Sequence, residues 1–302
     1  MIRRFLLVTM TGALVAVAQP IAAAINVFAC EPEWGALVTE LAGDNVKLYV
    51  ATTAMQNVHH IQARPSLLAA VRRANLVVCT GAELEAGWLP ILIRESGNAT
   101  IQRGQPGYFE AARHASMIDI PARLDRSEGD VHSMGNPHVH TDPRNIPPIA
   151  TALAKQLALV DPGNAQTYRT RLDDFDTRWR DGLARWTLKA APLRGIAVIE
   201  HHRSFSYFFN WSGAKVVGYL EPKPGVEPST GHLASLLERH KTEPAQLIVR
   251  ASFNDTRASQ WLAERARIPA IMLPFSVGGN AASKDLFAWF DSMIDILLEA
   301  GR

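Results

Sequence analysis

The residue type in this chain best placed to do chemistry is histidine. Ten are present, and three groups of them follow short apolar runs or sit in loops rich in glycine, proline and aspartate. His59 and His60 come after VKLYVATT, His132, His138 and His140 lie within GDVHSMGNPHVHTDP, and His201 and His202 close GIAVIEHH. A neutral imidazole offers a lone pair of intermediate softness, so histidines gathered from separate loops suit zinc and its neighbours. Any one of them alone is an ordinary solvated side chain, and the spacing within each pair is not that of a zinc finger. Three groups in equivalent places are what point to a metal.

Something must bring those groups together. Over the first half, INVFAC, VKLYVATT and NLVVCTG read as strands, separated by helical patterns such as EWGALVTELAG and PSLLAAVRRA. Strand, helix, strand implies parallel pairing with right-handed crossovers. After about residue 143 the strand signal stops. The stretch from Ala165 to Lys189 carries Tyr168, Leu172, Phe175, Trp179, Leu183 and Trp186 on one stripe, which predicts one continuous helix of roughly 37 Å. Alternation returns with GIAVIE, AKVVGYL, AQLIVRAS and PAIMLPF. The expected fold is therefore α/β, with two lobes of parallel sheet joined by a long spine helix and the metal site in the cleft between them. The expected divisions are 1–24 signal peptide, 25–160 first lobe, 161–190 spine and 191–302 second lobe. Ligands in such sheets gather beyond the carboxyl ends of the strands, where all three histidine groups fall.

The N-terminus reads as an export signal, with Arg3 and Arg4, an apolar run from Phe5 to Ala18, and small residues at Ala22 to Ala24. Its apolar run is shorter than the ~20 residues of a membrane span. Cleavage there takes the formal net charge from +2 to zero, so no basic face for nucleic acid is implied. Cys30 and Cys79 each follow an apolar run. They are either two buried thiols or, in an oxidising compartment, a disulfide between neighbouring strand ends.

At this point the chain resembles a family. DVHSMGNPHVHTDPRN is similar to the DPHVWLDP-like segment of the zinc and manganese solute-binding proteins of ABC importers. That family's first-histidine motif, approximately DPHxYxxxPS, resembles Asn57 to Ser66, where Pro65 falls six residues after His59 and selects it over His60. Its third motif, close to HxxFxYF, resembles His202 to Phe208. The resemblance implies His59, His138 and His202 as ligands, with His60 and His132 as further candidates. It also implies zinc as the transported ion with manganese as the alternative, a periplasmic location, and a permease with its ATPase as partners. A periplasmic metallochaperone and a monomeric state complete that expectation. Histidine in the third position goes with zinc, whereas a carboxylate there goes with manganese.

Two departures stand out. The family's acidic fourth ligand belongs to the loop after the last strand, which here reads LPFSVGGNAASKD with no carboxylate before Asp285. The fourth position is left to a water, His60 or an unplaced side chain. The long insertion rich in histidine and aspartate before the second ligand is missing, which leaves His132 as either a solvated loop residue or a relay.

Asp142 and Pro143 read as a helix start. Glu200 and Asp255 are candidates to hold a ligand imidazole from behind, or are ordinary turn residues. Trp34, Trp88, Phe205 and Tyr207 belong either to the cleft wall or to the core. A zinc hydrolase is the rival class, but no HExxH string supplies a general base; a surface adhesin on the same fold is the third. The signal pattern predicts a mature N-terminus close to Ile25, so N-terminal sequencing of the exported protein should return that residue or a near neighbour, and never Met1.

Overall fold

The computed structural model describes residues 24–123, 125 and 129–301. The expected signal segment thus lies outside the described residues, apart from Ala24. Two four-stranded sheets organise the chain, and every pairing in them is parallel. The first contains β1 (Ile25–Ala29), β2 (Val46–Val50), β3 (Leu76–Cys79) and β4 (Tyr108–Glu110) in the order β2-β1-β3-β4. The second contains β5 (Ala197–Glu200), β6 (Lys215–Tyr219), β7 (Leu247–Ala251) and β8 (Ala270–Leu273) in the order β6-β5-β7-β8. The two halves share one plan.

Helices α1 (Pro32–Ala42), α2 (Pro65–Arg73) and α3 (Leu89–Ser96) serve the first sheet, and each has proline in its first turn. Proline is tolerated there because its missing amide hydrogen has no partner to lose. The same rule relocates α4 (Ile146–Val160). Its prolines are Pro147 and Pro148, and its cap position is Asn145. The expected start at Asp142 and Pro143 is a turn instead, in which Asp142 accepts from the Arg144 amide at 2.8 Å and pairs with its guanidinium at 2.7 Å.

The spine, α5, runs from Ala165 to Lys189. Tyr168, Phe175, Trp179 and Trp186 on its stripe are fully buried. It packs on α1 and α4 on one side and on α9 (Leu286–Ala300) on the other. Trp179 and Trp186 meet Phe287 and Phe290 at centroid distances of 5.0 and 5.1 Å, within the favourable range for ring pairs. The remaining helices, α6 (Ser206–Ser212), α7 (Thr230–His240) and α8 (Thr256–Ala266), serve the second sheet. No helix among the described residues is long and apolar enough to cross a membrane. Trp34, Trp88, Phe205 and Tyr207 are all within 1% of full burial and belong to the core.

The two cysteines are bonded to each other across β1 and β3, with Cα atoms 4.8 Å apart. Register makes this possible, because Ala29 lies opposite Val78 and the next residues on each strand are Cys30 and Cys79. Beside them Glu85 is buried and accepts from the Thr80 amide at 2.7 Å. Burial pushes its carboxyl up to about 7. Thiol labelling in denaturant without reductant should find neither sulfur free. Reduction should lower the unfolding free energy by about 4 kcal/mol for a loop of this size, read from denaturant titrations with and without a phosphine.

Candidate metal centre

His59 sits in a one-turn 3-10 segment, Val58–His60, just past the end of β2. Asn57 caps the turn by accepting from the His59 amide at 3.1 Å. From beneath, the indole of buried Trp88 donates to the Val58 carbonyl at 3.0 Å. The backbone under this histidine is therefore fixed by a core side chain.

His138 lies in the loop before α4 and is 2% exposed. Asn136 accepts from its amide at 3.0 Å, and the Thr141 hydroxyl donates to its carbonyl at 3.0 Å. The Asn136 side chain also donates to the Arg203 carbonyl at 2.9 Å, while Tyr207 donates to the Asn136 carbonyl at 2.7 Å. One asparagine thus ties the second histidine loop to the third.

His202 follows β5, and its Nδ1 lies 2.7 Å from a carboxylate oxygen of Glu221. A carboxylate only accepts, so Nδ1 carries the proton and Nε2 keeps its lone pair. Glu221 is itself held by the Gly225 amide at 2.8 Å. Glu200 and Asp255, candidates either for this part or for ordinary strand-end and turn roles, take the ordinary ones. Glu200 is bonded to the Phe205 amide and lies 3.4 Å from the Ser206 hydroxyl, at the start of α6. Asp255 caps α8 by accepting from the Arg257 amide at 2.8 Å.

The three rings converge. His59, His138 and His202 each offer a donor atom, and those atoms lie within 4.8 Å of one another. Ring centroids are 5.4 to 5.7 Å apart, with every pair steeply tilted. Nε2 of His59 and both nitrogens of His138 are buried with no hydrogen-bond partner. Burial pushes the His59 and His138 imidazoles well below the usual histidine range, and the neighbouring His202 pushes the same way. One neutral nitrogen from each ring, close to its two counterparts, is what a zinc-like cation needs.

The further candidates stand outside this trio. His60 is exposed, with its ring 6.3 Å from that of His59. His132 stacks on His59 at 5.3 Å and belongs to a strap across the mouth of the cleft. Ser133 donates to Glu83 from its amide at 2.9 Å and its hydroxyl at 2.8 Å, and the Asp130 amide donates to the Pro224 carbonyl at 2.8 Å. One strap is thereby fastened to both lobes. Glu83 reaches it from a run of left-handed residues, Gly81, Ala82 and Glu83, with φ of 75°, 48° and 68°. For Ala82 and Glu83 that conformation costs of order 1 kcal/mol each, which the strap contacts and the packing of Ala82 offset.

A buried network unseen in the sequence lies under His138. His140 is fully buried, with Nδ1 3.4 Å from Glu33 and Nε2 3.2 Å from the Phe275 carbonyl. Ser276, in the loop after β8, donates to the other Glu33 oxygen at 2.5 Å. Glu33 comes from α1, so this network joins the two lobes.

Two parallel α/β lobes on a shared spine helix, facing each other across a histidine cluster, define a solute-binding protein of the zinc and manganese class. The family profile described as "ZnuA: Zinc-uptake complex component A periplasmic" matches residues 27–300, and the chain belongs to that family. It is 23% identical over 239 residues to the manganese ABC transporter substrate-binding lipoprotein PsaA of Streptococcus anginosus, covering 77% of this chain and 74% of that one. It is 23% identical over 235 residues to the iron ABC transporter substrate-binding lipoprotein MtsA of Streptococcus pyogenes serotype M1, covering 76% and 72%. Among solved structures, a crystal structure of ZnuA superposes with a TM-score of 0.75 at 20% identity, covering 92% of this chain and 100% of that one. A Mn-bound periplasmic metal binding protein from Candidatus Liberibacter asiaticus superposes at 0.74 with 15% identity, over 92% and 100%.

The titrating groups predict how the metal-free protein responds to pH. His59 and His138 are neutral when folded but take up protons near ~6.5 when unfolded, so their contribution is present above that pH and is lost as pH falls below it. Glu200 behaves oppositely, because burial pushes its carboxyl up to about 8, as it pushes Glu85 to about 7. Their contribution is full only below the ordinary carboxylate range at ~4.3 and is lost as pH rises from there through those values. His132, His140 and His201, also pushed down by burial, strengthen the acid limb. Denaturant titrations in EDTA from pH 5 to pH 9 should therefore give a stability maximum at ~6.5, where the histidine limb ends while the carboxylate limb still falls. A monotonic profile would contradict the assignment.

Proposed function

We propose that this chain is an extracytoplasmic binding protein that captures a divalent transition metal, zinc first, on His59, His138 and His202. It delivers the ion from the periplasm to a membrane permease driven by an ATPase, acting as a monomer and accepting metal also from a periplasmic metallochaperone. The observation that carries this is the meeting of three imidazoles from three separate loops, two of them with unpartnered buried nitrogens and the third turned by Glu221 so that its Nε2 is left over. Relatives are named for manganese and for iron as well as zinc. The donor set supports zinc among them, because an all-nitrogen cluster suits zinc and a harder, oxygen-rich one suits manganese.

A hydrolytic role is disfavoured by the carboxylates at hand. Glu221 is occupied by His202, and Glu33 by Ser276, so neither stands ready to take a proton from a metal-bound water.

The test is competition against a chromogenic chelator. Alanine at His59, His138 or His202 should each weaken zinc by orders of magnitude, since an ion that wants four ligands then keeps two imidazoles. Alanine at Glu221 should cost roughly ten- to a hundredfold by freeing the His202 ring. Alanine at His60 should change little. Zinc should also outcompete manganese at equal concentration. Stoichiometric zinc retained by all three histidine variants would remove the proposal.

A further inference from the structure

A zinc held by three imidazoles has a fourth position, and among the described His, Cys, Asp and Glu side chains none joins the trio within 4.8 Å. Ser276 stands in the loop where a carboxylate was expected, and its hydroxyl is committed to Glu33. Glu221 is committed to His202 and Gly225. The donor cluster accordingly contains three histidines and no acid.

Charge makes that position consequential. Three neutral imidazoles leave a zinc ion with both its positive charges, and Glu221 behind His202 offsets one. At a partly buried cluster the other favours an anion. A hydroxide would serve, but it needs only about 30 Å³. The space next to the cluster is far larger, a cavity of about 350 Å³ with His138 and His202 in its wall. That volume is in the range of small-molecule sites.

The same wall carries three cationic side chains, Arg123, Arg203 and Lys223, against two carboxylates, Asp119 and Asp130. The Arg203 guanidinium lies over the Tyr219 ring at 4.8 Å and makes a loose ion pair with Asp119 through Nη1 at 3.9 Å. Its planar fork therefore keeps donors for a carboxylate, which it binds through two parallel hydrogen bonds. Arg203 directly follows His202, and Asn136 holds its carbonyl while also positioning His138. Metal donors and guanidinium thus share one backbone clamp.

We infer that the protein takes its metal as a chelate, in which a small polycarboxylate or amino-carboxylate completes the coordination with one carboxylate and rests another on Arg203. This rests on the metal-binding function proposed above and adds the second component of the ligand. The strap residue His132 walls the same cavity, so the chelate sits beneath the strap.

The mature protein, stripped with EDTA, is loaded with zinc alone, with zinc and citrate, or with zinc and L-histidine, then observed by native mass spectrometry. A 1:1:1 protein, zinc and small-ligand species is expected with at least one probe, and that probe is retained only when zinc is present. Arg203→Ala should weaken retention of the probe roughly tenfold or more relative to its own zinc affinity without probe, as loss of a charge-assisted pair implies. Zinc uptake by that variant without probe reports that it is folded. A zinc-only species with both probes overturns the inference and leaves the binding function standing. Undiminished probe retention in Arg203→Ala overturns the assigned subsite. Failure to take up zinc under any condition removes the inference and the proposed function together.

Discussion

Three imidazole rings held close together away from water can share a cation, but they cannot share protons. Burial, reinforced by the neighbouring rings, pushes His59 and His138 far toward the neutral form. Much of the surrounding structure serves to keep those lone pairs pointed inward and unpaired. Trp88 braces the His59 turn from the core, Asn136 joins the His138 loop to Arg203, and Glu221 fixes the His202 ring by its far nitrogen. Unsatisfied polar atoms are normally a defect. Here one nitrogen from each ring falls within 4.8 Å of the others, where a single ion could be shared.

The lobes are joined at three levels, each by different chemistry. At the back, α5 packs aromatic rings against α9 and lies on α1 and α4. Under the cluster, Glu33, His140 and Ser276 form a polar link from α1 to the loop after β8. Across the mouth, the strap bonds to Glu83 on one side and Pro224 on the other. Apolar packing does not depend on direction, whereas the two polar links need exact partners. Separation of the lobes would break the polar links first and the spine last.

Much of this was legible in the residues, where the signal was periodic or repeated. The long stripe from Tyr168 to Trp186 gave α5 its observed ends, because a pattern sustained over many turns has little freedom. The histidine groups were legible because strand ends in parallel sheets face one way. Short or long-range features were not. Strand β4 has only three residues and no alternation to detect. Glu221 was overlooked although it lies two residues past the end of β6, where the same strand-end rule applied. The link between Glu33 and Ser276 joins residues 243 apart in sequence, and no local pattern announces it. Trp88 offered its ring to either cleft or core, and its indole hydrogen bond to Val58 shows how a core residue still shapes the site.

The order of the three histidines along the chain bears on how the protein is made. A chain emerging from its N-terminus exposes His59 and His138 well before His202, which lies beyond the whole of α5. Two imidazoles on an unfinished fold form a weak and hydrated pair. The third arrives only when the second sheet begins to assemble, and its ring is aligned only after β6 has brought Glu221 behind it. A fragment ending before β5 would therefore hold two of the three imidazoles, and one ending before Glu221 would hold all three with the last ring unaligned.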